Sequence, residues 1–116
     1  MAKKKAGAEA PPPGQVAVPQ IYQATLGPNG RVVKGPAITQ AQAEALRKAG
    51  EHVVVCGPNL AQNQRLARAI ELNANGTAKR CPPHKNAGPM ALPHYQPDPR
   101  PPDGHTFYET PNRKAM

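Results

Sequence analysis

The chain has no tryptophan, and only one Phe and three Tyr occur among its 116 residues. Large aromatic side chains therefore cannot supply most of the buried surface, and the core has to be aliphatic, of modest size, and braced by something other than packing alone. No stretch approaches the roughly 18 apolar residues of a membrane span, and "MAKKKAGAEAPPPG" lacks the apolar run of a secretory signal, so neither a membrane span nor a signal peptide is expected. The two cysteines, Cys56 and Cys81, form no CxxC pair, which sets aside thioredoxin-like and zinc-ribbon readings. They allow one disulfide or none, and buried free thiols are the commoner outcome in such a chain. The spacings of a dinucleotide or nucleotide loop, a nucleophile elbow, an HExxH metalloprotease and a zinc deaminase are all missing. Acidic residues are scarce as well: seven Asp and Glu face fifteen Lys and Arg, for a formal charge of +8. A small domain this basic favours a polyanion, with nucleic acid as first candidate; a membrane surface or an acidic protein also fits.

The length suits one small domain. Residues 1–20 read as a flexible basic and proline-rich tether, because "KKK" and "PPPGQVAVP" bury too little to fold alone. Residues 21–116 form the domain. "IYQATLGPNGRVVKG" predicts two extended segments, Ile21 to Leu26 and Arg31 to Lys34, around the turn signal "GPNG". "ITQAQAEALRKAGE" predicts a helix over 40–49, with Thr39 and Gln42 as a capping box, Ile38 able to staple onto Ala43, and Gly50 as the stop. "HVVVCG" reads as a buried central strand. A second amphipathic helix follows, capped by Asn59, striped by Leu60, Ala67, Ile70 and Ala74 and ended by Gly76. "TAKRC" can return as a strand, so that strand, helix and strand form a compact βαβ unit with both cysteines at one edge of a parallel sheet, unless the return is antiparallel. "HTFYET" predicts a last short strand. The fold class expected is α+β: a short mixed sheet, two helices and an ordered proline-rich C-terminal segment.

That segment, Cys81 to Glu109, carries half of the sixteen prolines and reads as loop, yet it holds three of the four histidines and three of the four aromatic residues. His84 and His94 each follow a proline, which stiffens the approach, and His105 follows Gly104, which permits tight backbone geometry. Stiff approaches suit a site whose rings must hold still without a helix beneath them. In metal-independent RNA cleavage one histidine deprotonates the 2′-OH, a second acid protonates the leaving oxygen, and a cation stabilises charge on phosphorus. His94 and His105 are the candidate pair, Tyr108 a positioning or proton-donating group, and Arg100 or Lys85 a phosphate clamp. Lys79, Arg80, Lys85, Arg113 and Lys114 are the candidate nucleic-acid contacts. A metal site is the alternative: Cys81 and His84 have C-x₂-H spacing, and His84, His94 and His105, with Asp98, Asp103 or Glu109, can make up a Zn²⁺ or Mg²⁺ set. The intervening gaps match no tight ligand pattern, so no metal or other cofactor is favoured. His52, beside a strand, reads as an ordinary core or surface histidine. "CGPN" offers amide groups at a helix start but lacks any phosphate-loop spacing.

The tail "GPMALPHYQPDPRPPDGHTFYETPNRKA" resembles the ends of C-terminal toxin domains of bacterial polymorphic toxins of the Rhs and contact-dependent types, which often finish in a "PHYHP…R…GHxFY" pattern. The likeness covers about a quarter of the chain, and Gln96 stands where the pattern has His. It implies a small basic nuclease domain joined to a larger carrier polypeptide, delivered by a secretion system into the target-cell cytoplasm and neutralised by an acidic immunity protein. Matched positions are His94, Arg100, His105 and Tyr108. The expectation is a nuclease acting on RNA ahead of DNA. The other classes open to the sequence are a non-catalytic nucleic-acid-binding module and an interaction protein that uses its proline segment as a ligand.

Overall fold

The computed structural model describes residues 19–83, 91–99 and 102–116. The expected tether falls almost wholly on 1–18, and His84, Lys85 and Arg100 also lie outside the described residues. Six strands and two helices follow in the order β1 (Gln20–Leu26), β2 (Val32–Ile38), α1 (Gln40–Lys48), β3 (His52–Cys56), α2 (Leu60–Asn75), β4 (Lys79–Cys81), β5 (His94–Gln96) and β6 (Thr106–Tyr108). The strands make one sheet in the order β2-β1-β3-β6-β5-β4. Only β3 and β6 pair in parallel; the other neighbours run antiparallel. The architecture is the mixed-sheet α+β fold read from the sequence.

Local chemistry explains the elements. The β1–β2 hairpin turns through a single 3-10 turn at Pro28–Gly30, where proline fixes the first φ. Helix α1 starts at a reciprocal capping box: Thr39 Oγ1 accepts from Gln42 N at 3.1 Å, and the Thr39 amide donates to Gln42 Oε1 at 2.9 Å. Asn59 Oδ1 caps α2 by accepting from Gln62 N at 2.9 Å. Gly76 closes α2 at φ +80°, a left-handed conformation that any Cβ would disfavour.

Both helices cover one face of the sheet. Ala43 of α1 and Ala67 and Ile70 of α2 pack on Ile21, Val53, Val55, Tyr95 and Tyr108. The other face carries no helix among the described residues; Ala24, Val32, Val54 and Phe107 pack there with Leu92, with Ala115 alongside. Val53, Val54 and Val55 are wholly buried, so β3 is packed on both sides, as its unbroken β-branched run implies. Burying each such side chain is worth about 1.5–3 kcal/mol.

Two expectations change. The strands β3 and β4 do run the same way around α2, but β6 and β5 lie between them, so the unit is a wide crossover and not a compact βαβ. Cys56 and Cys81 are accordingly three strand spacings apart, about 14 Å, well beyond the reach of a disulfide; both are free thiols. The inserted strands come from the segment that composition marks as loop. There "HYQ" forms β5, bracketed by Pro93 and Pro97, and bridges β4 to β6.

Candidate active site: a histidine cluster on the helix-free face

Strand alternation decides which side chains can meet. On β3, His52 and Val54 face away from the helices, while Val53 and Val55 face them. Parallel pairing sets Val54 beside Phe107, so His105 comes level with His52. Antiparallel pairing sets His94 beside Phe107 and Cys81 beside His94. Three histidines from three separate strand regions therefore converge around Phe107.

The rings of His52 and His105 are near parallel, with centroids 5.2 Å apart and an interplanar angle of 6°. Their Nδ1 atoms are 3.3 Å apart, and the His105 backbone N–H donates to His52 Nδ1 at 3.2 Å. The His94 ring meets His105 edge to face, with centroids at 4.4 Å and 71° between planes. All three rings lie within 5.7 Å of the Phe107 ring centroid. His94 is fully buried, and its Nδ1 faces the Leu92 carbonyl at 3.5 Å; His52 and His105 are half-buried. Solvent thus reaches the cluster from the His52 and His105 side.

A buried ion pair on the helix side fixes the two backbone approaches. Arg47 Nε and Nη2 donate to Glu71 at 2.8 and 3.3 Å, and Thr106 Oγ1 and Asn75 Nδ2 donate to the same carboxylate at 2.8 and 2.6 Å. Arg47 Nη1 donates to the Glu51 carbonyl at 2.8 Å and the Asp103 carbonyl at 2.9 Å. One guanidinium therefore ties down the residue before His52 and the turn before His105. Gly104 makes this possible: its φ is +92°, and a Cβ there would come within 2.8 Å of the Gly50 carbonyl and 2.9 Å of the Glu51 carbonyl.

The sequence-derived pair His94 and His105 is brought together. Tyr108 is not: it is 2% exposed in the helix-side core, and its hydroxyl accepts from Gln64 Nε2 at 3.3 Å. Its neighbour Phe107 is the aromatic that the histidines touch, because alternation sends adjacent residues to opposite faces. Lys79 pairs with Gln96 and shares the histidine face, whereas Arg80 pairs with Tyr95 and points to the helix side. Arg113 Nη1 donates to the Ala91 carbonyl at 2.8 Å, which pins down the segment leading to His94; Lys114 is exposed. The Glu109 carboxylate, 7% exposed, accepts the Ala115 N–H at 2.9 Å. Among the described residues no three His, Cys, Asp or Glu side chains are grouped to hold a metal ion.

Sequence reasoning passed over His52. A usable signal was present: "HVV" and "HTF" have the same pattern, a histidine at a strand start followed by alternating core residues, and parallel pairing superimposes them. Lys34 was also passed over. It pairs with Ala24 on the same face, and its ammonium sits 5.0 Å over the Tyr22 ring. Nearby, Cys56 is pushed up to about 12, first by burial and then by the Glu109 carboxylate, with Lys34 and Lys114 opposing. That thiol is a packing group at neutral pH.

Comparison with protein-family models, curated proteins and solved structures finds no match.

Proposed function

We propose that the chain is a nuclease effector domain of the kind bacterial polymorphic toxins carry, cleaving RNA ahead of DNA by histidine acid–base chemistry. The observation that carries this reading is the ring contact between His94 and His105 on a half-exposed, helix-free face of a strongly basic domain. A structural histidine pair has no need of a third ring beside it or of a charged clamp on its backbone approaches; a site that must hold proton-transfer groups still does.

His105 is the member that meets substrate, since His94 is sealed behind it. In the reaction His105 takes the proton of a ribose 2′-OH. The 2′-oxygen bonds to phosphorus, the bond from phosphorus to the 5′-oxygen breaks, and that oxygen leaves with the proton that His105 took and now returns, while the buried His94 ring supports His105 edge to face. Lys79 on the same face is a cation proposed to stabilise the charge that develops on phosphorus, together with Arg100 and Lys85, which the sequence nominates and which lie outside the described residues. The partners that follow are nucleic acid, a larger carrier polypeptide that brings the domain into a target-cell cytoplasm, and an acidic immunity protein that covers this basic face. No helix among the described residues is long and apolar enough to cross a membrane.

The deciding experiment is cleavage of a short RNA beside the same oligomer carrying a single 2′-deoxy substitution, with wild type and His105→Ala. The reading expects cuts ending in a 2′,3′-cyclic phosphate, resistance at the deoxy position and loss of activity in the variant. A wild type that cleaves neither RNA nor DNA, or a variant of undiminished activity, would falsify it. A protein that binds RNA with affinity sensitive to Lys79→Ala but never cuts it is a binding module instead.

A further inference from the structure

We infer that His52 is a positioning residue that fixes the tautomer of His105. The argument needs only donors and acceptors. The His105 backbone amide can only donate, and it points at His52 Nδ1 at 3.2 Å, so that nitrogen is an acceptor and carries no proton. The same Nδ1 lies 3.3 Å from His105 Nδ1. Two imidazole nitrogens at that separation share one hydrogen, and with His52 Nδ1 already the acceptor, the hydrogen sits on His105 Nδ1. Neutral His105 is therefore the Nδ1–H form, with its lone pair on Nε2, and His52 is the complementary Nε2–H form.

Neutral histidine in water prefers the Nε2–H form, so the pair holds His105 in its less common state. The backbone bond makes the arrangement rigid as well as selective. His52 accepts from both the main chain and the ring of one residue, so it sets the position and the rotation of the imidazole together. Arg47 supports this from the other side, since it bonds the carbonyls of Glu51 and Asp103. The catalytic meaning rests on the nuclease reading: with the lone pair on Nε2, that nitrogen is the atom that takes the 2′-OH proton. The tautomer itself does not rest on that reading.

Long-range proton–nitrogen correlation on uniformly ¹⁵N-labelled protein, at a pH where the imidazoles are neutral, reads tautomers directly. The expected wild-type spectrum has a protonated Nδ1 and an unprotonated Nε2 for His105, and the reverse for His52. His52→Asn places a carboxamide oxygen near the former Nδ1 and keeps an acceptor there, so His105 stays Nδ1–H. His52→Leu removes the acceptor while keeping apolar bulk against Phe107, and His105 reverts to Nε2–H. In RNA cleavage the Asn variant keeps activity within several-fold of wild type, and the Leu variant loses about 10²-fold or more. An Nε2–H form of His105 in wild type overturns the inference, as does a Leu variant that keeps the Nδ1–H form or full activity. If the Leu variant does not fold, the wild-type and Asn spectra still decide. A wild type without nuclease activity but with the predicted spectrum overturns the nuclease reading and leaves the tautomer assignment standing.

Discussion

The two faces of the sheet are built by different rules. On the helix side the core is aliphatic, and its buried charges are paired: Glu71 accepts from Arg47, Thr106 and Asn75, while Asn63 Nδ2 donates to the Gly57 and Glu109 carbonyls. On the other side the described cover comes from two short segments, around Leu92 and around Ala115, and the polar groups include three imidazoles. Each face has a buried core, but the charged network lies on the first and the histidines on the second. The backbone of β3 and β6 is shared by both, so the helix side supplies the rigidity that the histidine side requires.

Substitutions on each face should therefore fail in different ways. The largest effect expected is on rate: His105→Ala should lower RNA cleavage by about 10²–10⁴-fold with little change in melting temperature, because the ring is half-buried and its loss leaves the helix-side core intact. Equal loss of stability and activity would show that the faces are not separable. His94→Ala is the contrasting case, since its fully buried ring leaves a void beside Phe107 and Leu92, and melting temperature should fall along with activity.

Arg47→Met strands the Glu71 carboxylate at 0% exposure and should cost about 3–5 kcal/mol in denaturant unfolding. Joining it with Glu71→Leu should recover most of that loss, because replacing a whole buried pair is far milder than breaking it. Activity should not recover in the double variant, because the Glu51 and Asp103 carbonyls still lack their clamp; full recovery of both would mean that the histidine face holds itself in place. Thr39→Ala removes one half of the α1 capping box and should cost about 1 kcal/mol, with cleavage unchanged.

The smallest effect concerns Cys56, whose folded thiol is raised from 9.0 to about 12. The folded state binds that proton more tightly than the unfolded chain does, so the associated stability is complete below pH 9 and declines as pH rises toward 12. Cys56→Ala should flatten that alkaline decline. In native protein at pH 8 an alkylating reagent should modify Cys81 well before Cys56, and equal rates would contradict the burial that raises the Cys56 thiol.

Much of the helix side was legible in the sequence because its signals are local. The box of Thr39 and Gln42, the cap at Asn59 and the stop at Gly76 lie within a few residues of the turns they control, and "VVV" announces a strand buried on both faces. The histidine face depends on pairing between distant segments. His52 meets His105 across 53 positions through a parallel register that no short window contains. Arg47 and Glu71 read as polar positions on two amphipathic helices, and only the packing of α1 on α2 turns them inward. Strand β5 was obscured because three residues between prolines show no alternation to count. Tyr108 was assigned to the site, and Phe107 was not, because composition ignores parity: one step along a strand exchanges the histidine face for the helix face.

The placement of β6 has a consequence for biosynthesis. It follows the other described strands in sequence, yet it occupies an interior position, between β3 and β5. Without Thr106–Tyr108 the strand order separates into two pieces, β2-β1-β3 and β5-β4, with no pairing between them to bring His52 and His94 together. A nascent chain stalled before this strand carries His52 and His94 but no assembled cluster.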